Sequence, residues 1–491
     1  MSETNRSGSL IHAEKGARAL QKMPFIACLS LVICVNFLFM AGHDRQRIAE
    51  VLALTGAGVF ALIFRSHTYA RMFKGAAGQA LAAFFILGAV SSTLAFMPRY
   101  AFFEVAAFFM LYLFSTLAGD DIARNGRAGI TLPIQLVALG CTLHAAHFVF
   151  AYYTDLSLHL PITVDDFTRG FSNIRFFNHT QTSLLPLLLL LCCLTSRESK
   201  GRWLWLAVTT YWWMALYATS ARGTLIGIAA GCVVVALVAR QRAMPYLRVI
   251  GLTAISAVVA YYILLVAIPP IFDLEGMSAF SDTLNRTAAD PTSARTYLWE
   301  RALPLIVQHP WLGVGPMHFA HHAGDMHIGA HPHDWLVQIG LEWGLPALLC
   351  LFVAIGLGLR ALVRAGLRVP AGDTDNQAMF AALLLGAVAI LVDGLVSGIF
   401  VMPQSQLGVA LYLGCALGWQ RHLTPAAPQK VPHRAVRLLM KASVVAAMVA
   451  IVAAVWVDVP AKWRGDDPTP AQRAANTGNV LSPRLWIAGF F

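Results

Sequence analysis

Residues 222–270 read RGTLIGIAAGCVVVALVARQRAMPYLRVIGLTAISAVVAYYILLVAIPP. Two uncharged apolar runs, 223–239 and 249–269, flank a short connection that carries Arg240, Arg242 and Arg248. A helix of about 20 apolar residues crosses a bilayer with its backbone hydrogen bonds satisfied internally. A β-barrel would instead show alternating segments of about ten residues. Outward from this stretch the pattern recurs in both directions. Thirteen apolar segments are expected, at 24–41, 49–64, 76–97, 101–119, 128–152, 182–196, 203–219, 223–239, 249–269, 335–359, 377–398, 403–420 and 442–457.

Of the 491 residues, 57% are hydrophobic and 12% charged, and the mean hydropathy is +0.63. Soluble domains carry about 25% charged residues, and disorder needs low hydrophobicity, so both classes are excluded. The fold class expected is all-α, a polytopic helical bundle of about 12–13 transmembrane helices with a long, partly helical outer loop. The net charge of +11 reads as topology rather than as a nucleic-acid footprint, because Lys and Arg collect in cytoplasmic loops. With a cytoplasmic N-terminus, 23 of the 36 Lys and Arg fall inside, and every short loop obeys the rule except the first, which holds Arg45 and Arg47. All eight cysteines lie in apolar runs, which gives no support to disulfides or zinc.

The chain then divides into a cytoplasmic segment, 1–23, and a first block of nine spans, 24–269, with an outer loop at 153–181. A long outer loop, 270–334, a second block of about four spans, 335–457, and an outer tail, 458–491, follow. The run at 24–41 has no small-x-small cleavage site after it and reads as a retained anchor. Within the long loop, Asp290 and Pro291 suit a helix start, and Leu298, Ala302, Leu305 and Ile306 form one apolar stripe. The expectation is an amphipathic helix lying on the outer membrane face.

Seven histidines crowd residues 309–333. His318, His321, His322, His327 and Asp325 have spacings that test for a metal, but no HExxH is present and no metal site is expected. Asp334 is placed to cap a helix beginning at Trp335, which sets His333 at an outward helix mouth. The helix dipole disfavours an imidazolium there while Asp334 favours it, so the sign of its pKa shift is open. A hydrogen-bonded loop histidine is the plainer reading.

Arg222 stands at the outer mouth of the run 223–239, where a guanidinium beside free helix N–H groups suits phosphate. Arg295 and Arg301 fall on the loop helix, and Arg169 and Arg175 on the first outer loop. Any one of them could simply snorkel; several on the outer side point to an anionic ligand. Glu104 and Asp393 lie within spans, where acids are costly and usually functional. Arg99 is a ready partner for Glu104, whereas Asp393 has none nearby in sequence. Asn178-His179-Thr180 fits a glycosylation sequon, a weak signal.

In order along the chain, SARG, SARTYLW, HPWLGVGPMHF and HPHDWLVQIGLEWGLPA resemble the bacterial O-antigen ligase and O-antigen polymerase superfamily, occupying mainly 219–347. The ligase signature is His, then Asn, Ser or Gln, nine residues, Gly, two residues, and Gly, Thr or Tyr. His333 and Gly344 match it, while Asp334 and Ala347 depart. The resemblance implies an inner-membrane glycosyltransferase with a periplasmic active site. His333, Arg222 and Arg295 would be its essential residues; Arg175, Arg169, Arg301, His331, Asp334 and Asp393 are further candidates for binding diphosphate or glycan.

By the same resemblance, the donor is an O-antigen glycan on undecaprenyl diphosphate and the acceptor is lipid A-core. Membrane lipids surround the protein, and no nucleic acid, metal or other cofactor is expected. The reaction is an inverting transfer in lipopolysaccharide biosynthesis. The arginines would neutralise the leaving diphosphate, and His333 would take or orient the acceptor's hydroxyl proton. A pilin-type protein O-oligosaccharyltransferase and an O-antigen polymerase are alternatives, the former kept open by the thirteenth span and outward tail. A lipid-linked glycan transporter would show repeated halves, and none is visible in the sequence.

Overall fold

The computed structural model describes residues 42–65, 72–279, 295–323, 329–424, 434–464 and 484–487, together with isolated positions before 42, near 68 and between 279 and 295. Most of the anchor expected at 24–41, and Asp290 and Pro291, lie outside the described residues. Numbering only helices of eight residues or more, the order is α1 His43–Phe64, α2 Gly75–Leu94, α3 Pro98–Ser157, α4 Ile174–Leu194, α5 Lys200–Ala218, α6 Arg222–Ala239 and α7 Met244–Tyr261. There follow α8 Arg295–Gln308, α9 Trp335–Glu342, α10 Leu345–Leu367, α11 Thr374–Gly394, α12 Pro403–Leu423 and α13 Arg434–Val455. Among the described residues there is no strand, and eight helical stretches are long and apolar enough to cross a membrane. The chain is an all-α polytopic membrane protein.

Two of those stretches, of 60 and 51 residues, are too long for one crossing. The first, α3, breaks at Gly126, whose φ of 55° and ψ of −128° are outside the helical region. Gly129 there lies against the backbone of Ile122, which a straight helix would hold about 10 Å away. The second breaks at Arg240, between α6 and α7. Both α5 and α12 have span length but fall short of the same apolarity, because polar side chains such as Gln404 and Gln406 are buried inside the bundle.

Helix α3 packs along α12, α11 along α6 and α4, and α2 along α10. The α6–α11 contact sets the register of the site. Gly223, Gly227 and Gly231, one turn apart on α6, lie against Asp393, Ala389 and Leu385 of α11. Small residues at four-residue spacing let two helix backbones approach closely, which in lipid replaces the missing hydrophobic drive.

Three expectations change. The span expected at 335–359 is two helices, α9 and α10, because Gly344 takes φ +89° and Pro346 then starts α10 afresh. Residues 174–181, expected as loop, are the first two turns of α4, whose cap is Asn173 accepting from the Arg175 N–H at 2.9 Å. The stripe on α8 does not lie on the membrane: Leu298 and Ala302 are buried against Phe319, Ala323 and Leu341.

Arg47 explains the one short loop that breaks the charge rule. It is buried, with Nη1 donating to Glu50 at 2.5 Å and to Gln406 Oε1 at 2.7 Å, and Nη2 to the Val401 carbonyl at 2.6 Å. A compensated guanidinium inside the bundle carries no topological charge.

Candidate active site

Asp334 caps α9 as the sequence implies, its Oδ1 accepting from the N–H groups of Leu336 at 2.8 Å and Val337 at 3.2 Å. A cap of this kind stabilises a helix start by about 1 kcal/mol. It also turns the carboxylate toward the helix and away from a role as counter-ion to His333. Burial raises the Asp334 pKa against the opposing pull of those two N–H groups.

His333 precedes this cap with φ +54°, a left-handed conformation that costs a residue with a Cβ about 1 kcal/mol or more. Its N–H donates to His331 Nδ1 at 3.3 Å, and the two rings lie 4.0 Å apart. The open sign of the His333 shift is thereby settled. Burial pushes its pKa down to about 3, and the Arg175 and Arg295 guanidiniums and His179 push the same way. His331 is also held well below the ordinary imidazole range, by burial first and then by His333 and Arg484. Both rings are neutral at pH 7.

The fold brings a third histidine underneath. His179 on α4 is 5% exposed; its Nε2 accepts from the Gly398 N–H at 3.3 Å, and its Nδ1 lies 4.0 Å from Asp393 Oδ2. Asp393 accepts from the Thr182 hydroxyl at 2.9 Å, and Thr182 is 2.8 Å from the Thr224 hydroxyl on α6. Gly398 meets the His331 ring so closely that a Cβ there would sit 2.8 Å from Cε1. Asp393, His179, Gly398, His331 and His333 therefore form one continuous path from the bundle interior to the loop.

Of the arginines named from the sequence, Arg175 and Arg295 are the two whose charge is felt at His333. Arg222 is the residue before Gly223, whose Cα faces Asp393. Arg169 and Arg301 are engaged elsewhere, the first with Asp166 Oδ1 at 2.9 Å and the second with the His322 carbonyl at 3.0 Å. Glu104 pairs with Arg484 at 2.7 Å rather than with Arg99, which donates to the Ala454 carbonyl.

His318 is a core histidine, donating from Nδ1 to the Pro316 carbonyl at 2.7 Å and accepting at Nε2 from the Met97 N–H at 2.8 Å. His321 stacks on Phe96, and His327 and Asp325 lie outside the described residues. Among the described residues no three His, Cys, Asp or Glu side chains gather as a metal shell. The sequon is buried: Asn178 donates to Gln181 and to Thr219 within the bundle.

Sequence reasoning missed His179, Thr182 and Gly398. The available signal was six polar residues in a row, Asn178 to Ser183, at the head of an apolar span.

Residues 206–352 match the family model described as O-antigen ligase. Over this stretch the chain is similar to the O-antigen ligases. A search of curated proteins gave no match. The O-antigen ligase region holds Arg222, Arg295, His331, His333 and Asp334, whereas Arg175, His179 and Asp393 are brought to them from outside it. This similarity supports activity of the O-antigen ligase or polymerase type in the broad sense.

Proposed function

We propose that the chain transfers a glycan from undecaprenyl diphosphate to a hydroxyl of lipid A-core, at the periplasmic face of the inner membrane, without a metal. The observation that carries this reading is His333, a neutral imidazole at a helix start with the guanidiniums of Arg175 and Arg295 acting on it. An acceptor oxygen attacks the anomeric carbon from the face opposite the diphosphate. The bond between that carbon and the diphosphate oxygen breaks, the diphosphate leaves with the electron pair, and configuration inverts. The hydroxyl proton passes to a His333 ring nitrogen.

The arginines offset charge as it grows on the leaving group, and a donor already in place makes this stabilisation cost no reorganisation. In the free protein burial, with the same cations adding to it, holds the pKa of His333 too low for an efficient base. A bound diphosphate neutralises them and raises the basicity of the ring by their share of the shift. His333 is thus a better base with the donor bound than in the free protein.

An apolar cavity of about 580 Å³ supports the lipid part of the reading. Phe84, Phe108, Leu351 and Ile355 line it together with Lys74, Arg421, Gln338 and Trp335, the first residue of α9. A polyprenyl chain lying there would present its diphosphate to the cluster.

The test is transfer by purified protein in EDTA, with undecaprenyl-diphosphate glycan and either lipid A-core or a pilin peptide. EDTA-resistant transfer to lipid A-core, lost in His333→Ala and Arg222→Ala, supports the proposal. Transfer only to peptide, donor lengthening without acceptor, or sensitivity to EDTA overturns it.

A further inference from the structure

Arg484 belongs to the C-terminal tail, far from the O-antigen ligase region in sequence, yet it is only 3% exposed. Its Nη2 donates to Glu104 Oε1 at 2.7 Å and to Glu342 Oε2 at 2.6 Å. The two glutamates come from α3 and the last turn of α9. Each holds a piece of the long loop with its other oxygen. Glu104 Oε2 accepts from the Met317 N–H at 2.9 Å, and Glu342 Oε1 from the Phe319 N–H at 3.1 Å. Gln338, one turn into α9, also donates to Glu104 Oε1, at 3.3 Å.

The tail around Arg484 is seated as firmly. The Arg484 carbonyl accepts from Arg47 at 3.3 Å, the Trp486 indole N–H donates to Asp458 at 3.0 Å, and the Ile487 N–H to Asp44 at 2.6 Å. Lys462 adds an ion pair to Asp44 at 3.3 Å. The Arg484 charge also reaches His318 and His331.

Two buried carboxylates that both accept from one loop repel each other unless a cation lies between them. Without it, the two carboxylates push apart and draw in water, which competes for the backbone N–H groups of the turn at Met317 and Phe319. That turn is strained, with Met317 at φ +67°, so it needs the surrounding contacts to persist.

We propose that Arg484 is a positioning residue: the tail folds back to lock the Glu104–Glu342 pair, and this lock holds α9 and the loop so that His331 and His333 keep their places. The activity arm of the test rests on the glycosyltransferase reading above; the labelling arm does not.

The experiment compares full-length protein with Arg484→Gln, Arg484→Lys and the charge-balanced Arg484→Gln/Glu104→Gln/Glu342→Gln. Histidine accessibility is read by diethyl pyrocarbonate labelling and peptide mass spectrometry, alongside transfer to lipid A-core. His144, buried between Phe37, Phe177 and Trp212, reports global unfolding.

In Arg484→Gln, labelling of His318 and His331 should rise about tenfold while His144 stays protected, since local opening needs less free energy than global unfolding. Transfer should fall about tenfold or more, because small misplacements of reacting groups are costly. Arg484→Lys and the balanced variant should reverse both. Wild-type labelling in Arg484→Gln, equal exposure of His144, or no reversal by the balanced variant overturns the proposal. Where Arg484→Gln does not accumulate, the balanced variant decides: protected His318 and His331 support the lock, and exposed ones overturn it. Labelling as expected with no transfer by the wild type leaves the lock standing and removes the functional reading instead.

Discussion

Gly223 of α6 lies so close to Asp393 of α11 that a Cβ on it would sit 2.5 Å from the carboxylate Oδ1. The contact joins Arg222, the residue before Gly223, to the acid that faces His179. It is the last rung of the ladder that Gly227 and Gly231 continue toward the other end of the bundle.

Gly223→Ala is therefore expected to push α6 off α11 at the site while the two lower rungs hold the helices together. Transfer should fall by about 10- to 100-fold, the cost of misplacing a catalytic group by a fraction of an ångström or more. Thermal midpoint and yield should stay near wild type. An active Gly223→Ala protein would show that the close approach does not set the Arg222 position.

Arg175→Gln and Arg295→Gln should each weaken donor binding by about 10- to 100-fold, the range of a charge-assisted hydrogen bond. Binding of a short-chain prenyl diphosphate, measured by calorimetry, checks this without turnover. Arg169→Gln, whose guanidinium serves Asp166, should bind like the wild type.

The pH behaviour follows from the pKa of His333 in the folded protein, about 3. Because the unfolded chain takes up a proton on this histidine near its ordinary pKa of about 6.5, the unfolded state binds more protons below that pH. The stability from keeping His333 neutral is thus full above about pH 6.5 and is lost as pH falls toward 3. His333→Gln should show a shallower fall in thermal midpoint between about pH 6.5 and pH 4 than the wild type. In kinetics, kcat/KM should lack an acid limb from His333 above about pH 5, whereas the limb in kcat should move upward once the diphosphate neutralises the arginines. Coincident limbs in the two profiles would contradict that coupling.

Asp393 is 1% exposed and contacts Thr182 and His179 rather than open space. Asp393→Asn keeps the shape and one acceptor but removes the charge. It should lower kcat by about tenfold through His179 and its neighbours, with donor KM within about threefold, since the residue does not reach the substrate. A change confined to KM would place Asp393 in the binding surface.

Much of the fold was legible because lipid leaves a chain few options. Apolar runs of span length must be helices, and the basic residues between them mark the loops. The Asp334 cap was legible too, as it depends on a few neighbouring residues. The places where reading failed share a different cause. Residues 174–181 looked like loop because they are polar, yet their partners on α5 and α6 bury them within a helix. The α8 stripe looked membrane-bound because its true partners, Phe319 and Leu341, follow later in the chain.

The sequence by itself determined that this is a helical membrane protein, that Arg222, Arg295 and His333 stand at helix or loop boundaries, and that its motifs resemble the O-antigen ligases. Only the tertiary structure decided which charges share a site. It brought Arg175, His179 and Asp393 to His333, sent Arg169 and Arg301 elsewhere, and gave Glu104 a partner 380 residues away. Local rules govern caps and spans because they act between residues a few positions apart. The pKa of His333 depends on the charges and burial around it, and those are set by how distant helices pack.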